Sequence, residues 1–170
     1  MGCGKSTVGI RLAALLDRPF VDLDAVVEKT AQCSVDQIFA DGGEEVFRDM
    51  EAEALRNVAD NAVCALGGGA ILHRGNLEWA RREGFLIYLE VTPDVLRRRL
   101  VQCQTVRPLL NDVKGQRLKG RALERTITRL LKEREVYYRQ ARAIVPASDD
   151  SPDVVAQYCA DAYSSRNESR

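Results

Sequence analysis

At 170 residues, 45% of them hydrophobic, the chain is the size of one domain and can bury a substantial core. Its 25 Lys and Arg balance 25 Asp and Glu, so there is no global field to draw it to nucleic acid or to a membrane surface, and charge must act locally. No apolar run approaches the roughly 20 residues that span a bilayer. The polar, glycine-rich start does not read as a signal peptide. Cys3, Cys33, Cys64, Cys103 and Cys159 are widely spaced, odd in number and without a C-x-x-C pair. That pattern excludes a recognisable zinc site or disulfide framework, so reduced, mostly buried thiols in a cytoplasmic protein are expected.

The predicted elements alternate along the chain. Val8, Leu12, Leu15 and Leu16 recur at helical spacing and predict a helix over 5–16. A short strand follows at 20–22, then a helix near 25–30 leading to 35–39. Residues 44–59 read as a helix with Phe47, Met50, Ala54, Leu55 and Val58 on one face. A buried strand over 62–66 runs into Gly67-Gly68-Gly69. A helix at 77–83 and an apolar strand at 85–91 come next, and Thr92-Pro93 opens a helix over 94–102. The stretch 107–120 is basic and interrupted by glycine, and reads as mobile. A long helix over 122–141, a strand at 143–147 and a helix at 152–163 complete the chain, and 164–170 is a polar tail. Strands alternating with helices predict an α/β domain with a parallel sheet.

Gly4-Lys5-Ser6-Thr7 ends a Walker A phosphate loop, G-x-x-x-x-G-K-[ST]. In such a loop glycines let backbone N–H groups turn towards phosphate oxygens, and the helix that follows offers its positive end to the anion. Gly2, Cys3, Gly4, Lys5, Ser6 and Thr7 are therefore candidate ATP contacts. Lys5 would reach the β- and γ-phosphates and the Ser6 hydroxyl would ligate Mg²⁺. The plainer reading is a helix cap. The motif's first glycine would fall two residues before Met1, and the strand that normally feeds the loop is absent. The expectation is that native chain precedes Met1, because a central strand left out strands the backbone groups of both its neighbours.

Asp22 and Asp24 stand at i, i+2 as a strand ends, so on extended chain both would face one side. One carboxylate there could hold Mg²⁺ through its water shell while the other orients a substrate hydroxyl and accepts its proton; the alternative is a solvated loop with a helix cap, since Asp24 precedes Ala25-Val26-Val27. Arg134 lies in the middle of the stripe Leu123, Ile127, Leu130, Leu131, Tyr137 and Tyr138. A guanidinium facing a core needs a partner, which could be a substrate carboxylate; the alternatives are an internal salt bridge or a side chain that snorkels to solvent. Glu51 sits in the stripe of the 44–59 helix with Arg48 at its edge, a pairable i, i+3 couple. Gly67, Gly68 and Gly69 let backbone approach a ligand closely. Arg107 opens the basic stretch, where an arginine on a closing loop could neutralise charge during phosphoryl transfer. His73 reads as a loop residue rather than a base, Trp79 as helix packing, and Tyr137-Tyr138 as core.

Together, M-G-C-G-K-S-T, D-L-D, G-G-E-E-V-F-R-D-M-E, G-G-G-A, R-P-L-L, E-R-x-x-Y-Y and D-D-S-P resemble, in order and over nearly the whole chain, the shikimate kinases. The resemblance implies a P-loop NTPase-like three-layer fold, with a central parallel sheet, helices on both faces and its first strand missing. It implies one kinase domain over 1–163, with a substrate segment about 24–60 and a lid about 107–120. It also implies transfer of phosphate from ATP to the 3-hydroxyl of shikimate with Mg²⁺, in the route to chorismate and the aromatic amino acids. Carried over, Asp22 lies near Mg²⁺ and Asp24 is the base. Arg48 and Arg134 hold the shikimate carboxylate beside Gly67–Gly69, with Glu51 fixing Arg48. Phe39 and Phe47 line the pocket, Arg107 is the lid arginine, Arg99 lies near adenine, and Ser151 and Pro152 belong to the adenine loop. A monomer is expected. Val136 stands where the family often has proline, and the segment between Arg107 and Arg134 is longer than usual. Two other readings stay open: a P-loop kinase of the gluconate kinase type, and a non-catalytic nucleotide-binding module.

Overall fold

A computed structural model describes residues 2–73, 75–102, 108–112 and 116–167. In chain order its elements are α1 (Lys5–Leu15), β1 (Phe20–Asp22), α2 (Leu23–Ala31), α3 (Val35–Arg56), β2 (Val63–Ala65), α4 (Asn76–Glu83), β3 (Ile87–Glu90), α5 (Pro93–Gln102), α6 (Gly120–Tyr138), β4 (Ala143–Pro146) and α7 (Pro152–Ser164). Short 3₁₀ turns occupy Ala70–Leu72, Pro108–Leu110 and Ser165–Asn167. The last of these lies within the polar tail, where Arg166 stacks over the Tyr163 ring at 3.2 Å.

Both strand pairs among the described residues are parallel, as the alternating pattern requires. Among the described residues the strands form two separate pairs, β1 with β2 and β3 with β4. Phe20 is opposite Val63 in the first pair and Ile87 opposite Ala143 in the second. Between the pairs lies a cleft of about 670 Å³, lined by Val63, Cys64 and Ala65 on one side and Ile87, Tyr88 and Leu89 on the other. Parallel strands are ordinarily paired along both edges and covered on both faces. Here β2 and β3 each have one strand neighbour, so the facing edges bound the cleft rather than a continuous sheet.

Two apolar cores flank this division. The larger joins Val8 and Leu12 of α1, Leu96 and Leu100 of α5, Leu123 and Ile127 of α6, Val145 of β4 and Val155 and Ala156 of α7. The smaller joins Leu23 and Val27 of α2, Ile38, Phe47 and Leu55 of α3, and Ala70. Each fully buried Leu, Ile or Phe stabilises by about 1.5–3 kcal/mol, so these clusters hold the helices that carry the charged residues described below. The 3₁₀ turn after the glycines is fixed by polar groups. Asn76, with no exposed surface, donates to Ala70 O at 2.8 Å and accepts from Arg56 at 3.0 Å.

Several expectations are corrected. Residues 35–56 are helical on both sides of a kink at Gly43 (φ 77°), which separates the expected segment at 35–39 from the helix that starts at 44, but the second helix ends at Arg56 rather than at 59. Leu15 is 52% exposed, on the outer face of α1. Tyr137 is exposed, whereas Tyr138, the last residue of α6, is half-buried and packs on Tyr88, so the inward face at this end of the helix is taken by Tyr138. The cysteines Cys3, Cys33, Cys64 and Cys159 are free, but only Cys159 is buried. Burial pushes the Cys64 thiol up to about 12 and that of Cys159 up to about 11, which leaves both unreactive. Among the described residues no helix is long and apolar enough to cross a membrane.

Candidate active site

The phosphate loop leads into α1 through Gly4, whose φ of 86° lies in the left-handed region that glycine enters at little cost. Gly4 also caps the helix: its carbonyl accepts from Val8 N at 2.9 Å. Lys5 is the first helical residue, and its Nζ lies 3.9 Å from Cys3 Sγ. Ser6 Oγ donates to Asp22 Oδ2 at 2.5 Å, so the loop hydroxyl meets the carboxylate that ends β1.

Asp22 and Asp24 do not share an extended face. The chain turns helical at Leu23, and Asp22 caps α2 by accepting from Asp24 N at 3.1 Å. Expecting two carboxylates one pleat apart was therefore wrong in its geometry. Asp22 faces Ser6, whereas Asp24 faces the glycine loop, with its Oδ1 3.0 Å from where a Cβ on Gly67 would begin. The two groups thus serve different sides of the site.

Gly67 and Gly69 follow β2 and pass close to α3. A Cβ on Gly67 would lie 1.9 Å from Glu51 Oε1, and one on Gly69 would lie 2.4 Å from Arg48 Nη2. Those contacts require glycine because the opposing groups are themselves held. Arg48 donates to Glu51 Oε2 at 2.6 Å and to Glu44 Oε1 at 3.1 Å, with its guanidinium 5.0 Å above the Phe47 ring. Glu51 has no exposed surface, and its Oε1 has no hydrogen-bond partner among the described residues. Burial pushes its carboxyl above the ordinary range against the pull of Arg48, and the charge of Asp24 adds to the push.

Arg134 comes from the middle of α6 and is 8% exposed. Its Nη1 donates to Gly68 O at 3.2 Å, and among the described residues no carboxylate lies within ion-pair distance of it. Glu44, Glu45, Arg48, Gly69, Leu72, His73 and Arg134 line a pocket of about 500 Å³. Arg48 and Arg134, 86 positions apart by their numbers, thus meet in one pocket at the glycine loop.

The structure brings together Gly2–Thr7 with Asp22, and separately Asp24, Arg48, Glu51, Gly67–Gly69 and Arg134. Arg99 bridges the phosphate loop to the chain after β4, donating to Cys3 O at 3.5 Å, Ala147 O at 3.1 Å and Ser148 O at 3.0 Å. Ser151 caps α7 by accepting from Val154 N at 3.4 Å, and Pro152 is the first residue of that helix. Phe47 is buried in the smaller core and packs on Phe39 with ring centroids 5.0 Å apart, so this pair underlies the Arg48 side of the pocket. Arg107 and most of its neighbours lie outside the described residues. Three residues at this pocket are not among the candidate site residues of the sequence. Glu44 and Tyr138 stand at i−4 from Arg48 and i+4 from Arg134, a spacing that could have exposed both. His73 lines the pocket, with its Nε2 2.8 Å from Asp49 Oδ1, and no spacing signal points to it.

The family model for shikimate kinase matches residues 1–164. The shikimate kinase of Salinibacter ruber is 40% identical over 159 residues, which are 92% of this chain and 78% of that protein. The crystal structure of shikimate kinase from Bacteroides thetaiotaomicron superposes with a TM-score of 0.85 at 34% identity, covering 96% of this chain and 94% of that one. That from Acinetobacter baumannii, solved in complex with shikimate, gives 0.87 at 31% identity, covering 98% and 89%. The sequence, the paired parallel strands behind a phosphate loop and these matches agree: the chain belongs to the shikimate kinase family.

Proposed function

We propose that the chain transfers the γ-phosphoryl group of ATP to the 3-hydroxyl of shikimate, on the route to chorismate and the aromatic amino acids, with Asp24 as the base. The observation that carries this reading is Arg134: a buried guanidinium held by one carbonyl, with no carboxylate at ion-pair distance among the described residues. Desolvating such a charge costs several kcal/mol, whereas one hydrogen bond from a charged donor returns about 1.5–3 kcal/mol. A carboxylate arriving from solution between Arg134 and Arg48 supplies the missing compensation. Gluconate is also a carboxylate, but an open chain has no ring to rest against three glycines.

In this reading Gly2, Cys3, Gly4 and Thr7 offer backbone N–H groups to the phosphates, and Lys5 neutralises charge on the transferring group. The Ser6 hydroxyl and the Asp22 carboxylate already touch. One hydroxyl and one carboxylate suit Mg²⁺, which keeps most of its water and takes phosphate oxygens rather than a protein cage. When bound, the ion would offset phosphate charge. Asp24, beside Gly67, accepts the proton of the attacking hydroxyl. Glu51 holds Arg48, and Arg48 and Arg134 fix the ring through its carboxylate. Phe39 and Phe47 support the substrate side. Arg99 with Ser151 and Pro152 frames the adenine. Arg107 is assigned on its sequence alone as the lid arginine. A single kinase domain over 1–163, a substrate segment about 24–60, a lid about 107–120, a monomeric state and a cytoplasmic location complete the reading.

A coupled assay of ADP release with shikimate, gluconate or water as acceptor tests it. Turnover well above the water rate with shikimate alone is expected. Equal release with all three, or a preference for gluconate, overturns the substrate assignment.

A further inference from the structure

Gly68 O accepts two hydrogen bonds from α6, one from Arg134 Nη1 and a short one from the Tyr138 hydroxyl. Arg134 and Tyr138 are one helical turn apart and share a face. A guanidinium has five N–H groups, so Arg134 can keep its one bond to Gly68 O and offer the others to an incoming carboxylate, and the carbonyl then helps set where the guanidinium points. A second donor would fix that carbonyl in place. Tyr138 is placed to be that donor. Its ring packs on Tyr88 of β3 with centroids 5.1 Å apart and planes inclined by 31°, so the hydroxyl is braced rather than free to swing. Burial pushes its phenol up, against the pull of Arg134 and Lys5, so the hydroxyl keeps its proton and remains a donor at working pH.

We propose that Tyr138 is a positioning residue that holds the Gly68 carbonyl, and through it the Arg134 guanidinium, in place for the carboxylate of the substrate. The inference rests on the reading above, in which Arg134 receives shikimate. Tyr138 does not touch the reacting atoms. It acts through the Gly68 carbonyl, which both side chains share, and so through the orientation of Arg134.

The test is Tyr138→Phe, which keeps the ring and its packing on Tyr88 and removes only the hydroxyl. The KM for shikimate should rise about fivefold to tenfold, the range of one neutral hydrogen bond. Meanwhile kcat stays within about twofold and the KM for ATP is unchanged. In an Arg134→Ala background there is no guanidinium to position, so adding Tyr138→Phe should raise the KM no further. A merely structural tyrosine would lower the thermal midpoint with the shikimate KM unmoved, and that result overturns the proposal. So do penalties that add fully in the double variant. A wild-type chain inert toward shikimate overturns both this inference and the reading beneath it. An active wild type with an unchanged Tyr138→Phe KM overturns this inference alone.

Discussion

Asp24→Asn is expected to lower kcat by about 10²–10⁴-fold, the usual worth of a positioned general base, with ATP binding retained. The exchange keeps the size of the side chain and its place in the first turn of α2, where the helix is capped by Asp22 rather than by Asp24. The fold therefore loses little. What is lost is an acceptor for the proton of the attacking hydroxyl, beside a glycine that leaves no room for any other side chain. Steady-state turnover with shikimate, set against a fluorescence or calorimetric titration with ATP, separates chemistry from binding. A variant with near-normal kcat would move the base elsewhere, and one that loses ATP as well would place Asp24 in the phosphate site.

Arg134→Ala should raise the KM for shikimate on the order of 100-fold, with a smaller effect on kcat. A charge-assisted pair of hydrogen bonds to a carboxylate is worth about 3 kcal/mol, and each 1.4 kcal/mol is tenfold. The fold should tolerate the change better than most losses of a buried side chain. Arg134 is held by one carbonyl, and Gly68 keeps its bond from Tyr138. Arg48 contrasts with it, being tied to Glu51 and Glu44, so its removal would leave the buried Glu51 without its cation. Arg134 is thus the cleaner probe of substrate binding, read from initial rates over a range of shikimate concentrations. An unchanged KM would return it to a structural role.

The parts legible from sequence were those set by periodicity. The α6 stripe placed Arg134 facing inward, and it is buried there. The i, i+3 spacing of Arg48 and Glu51 predicted their pairing, which is direct at 2.6 Å. Three glycines after a strand predicted close approach, and any side chain at Gly67 or Gly69 would collide with Glu51 or Arg48. What failed was local geometry at element ends. Asp22 and Asp24 were read on extended chain, but a carboxylate that can cap a helix ends the strand, and the period changes between them. Tyr137 follows the stripe on paper but is exposed in space, where its neighbour Tyr138 takes the inward place against Tyr88. His73 was invisible as a site residue. Its position depends on the 3₁₀ turn at Ala70–Leu72, which Asn76 and Arg56 hold from other elements. Long-range polar contacts of that kind leave no spacing in the sequence.

Calorimetric titration with shikimate and with its methyl ester is the most direct measurement of whether Arg48 and Arg134 converge on a substrate acid. The ester keeps the ring and all three hydroxyls and removes only the negative charge. Binding of shikimate at least about tenfold tighter than the ester is predicted, the lower bound for a single charged hydrogen bond. Equal affinities, or tighter binding of the ester, would contradict it.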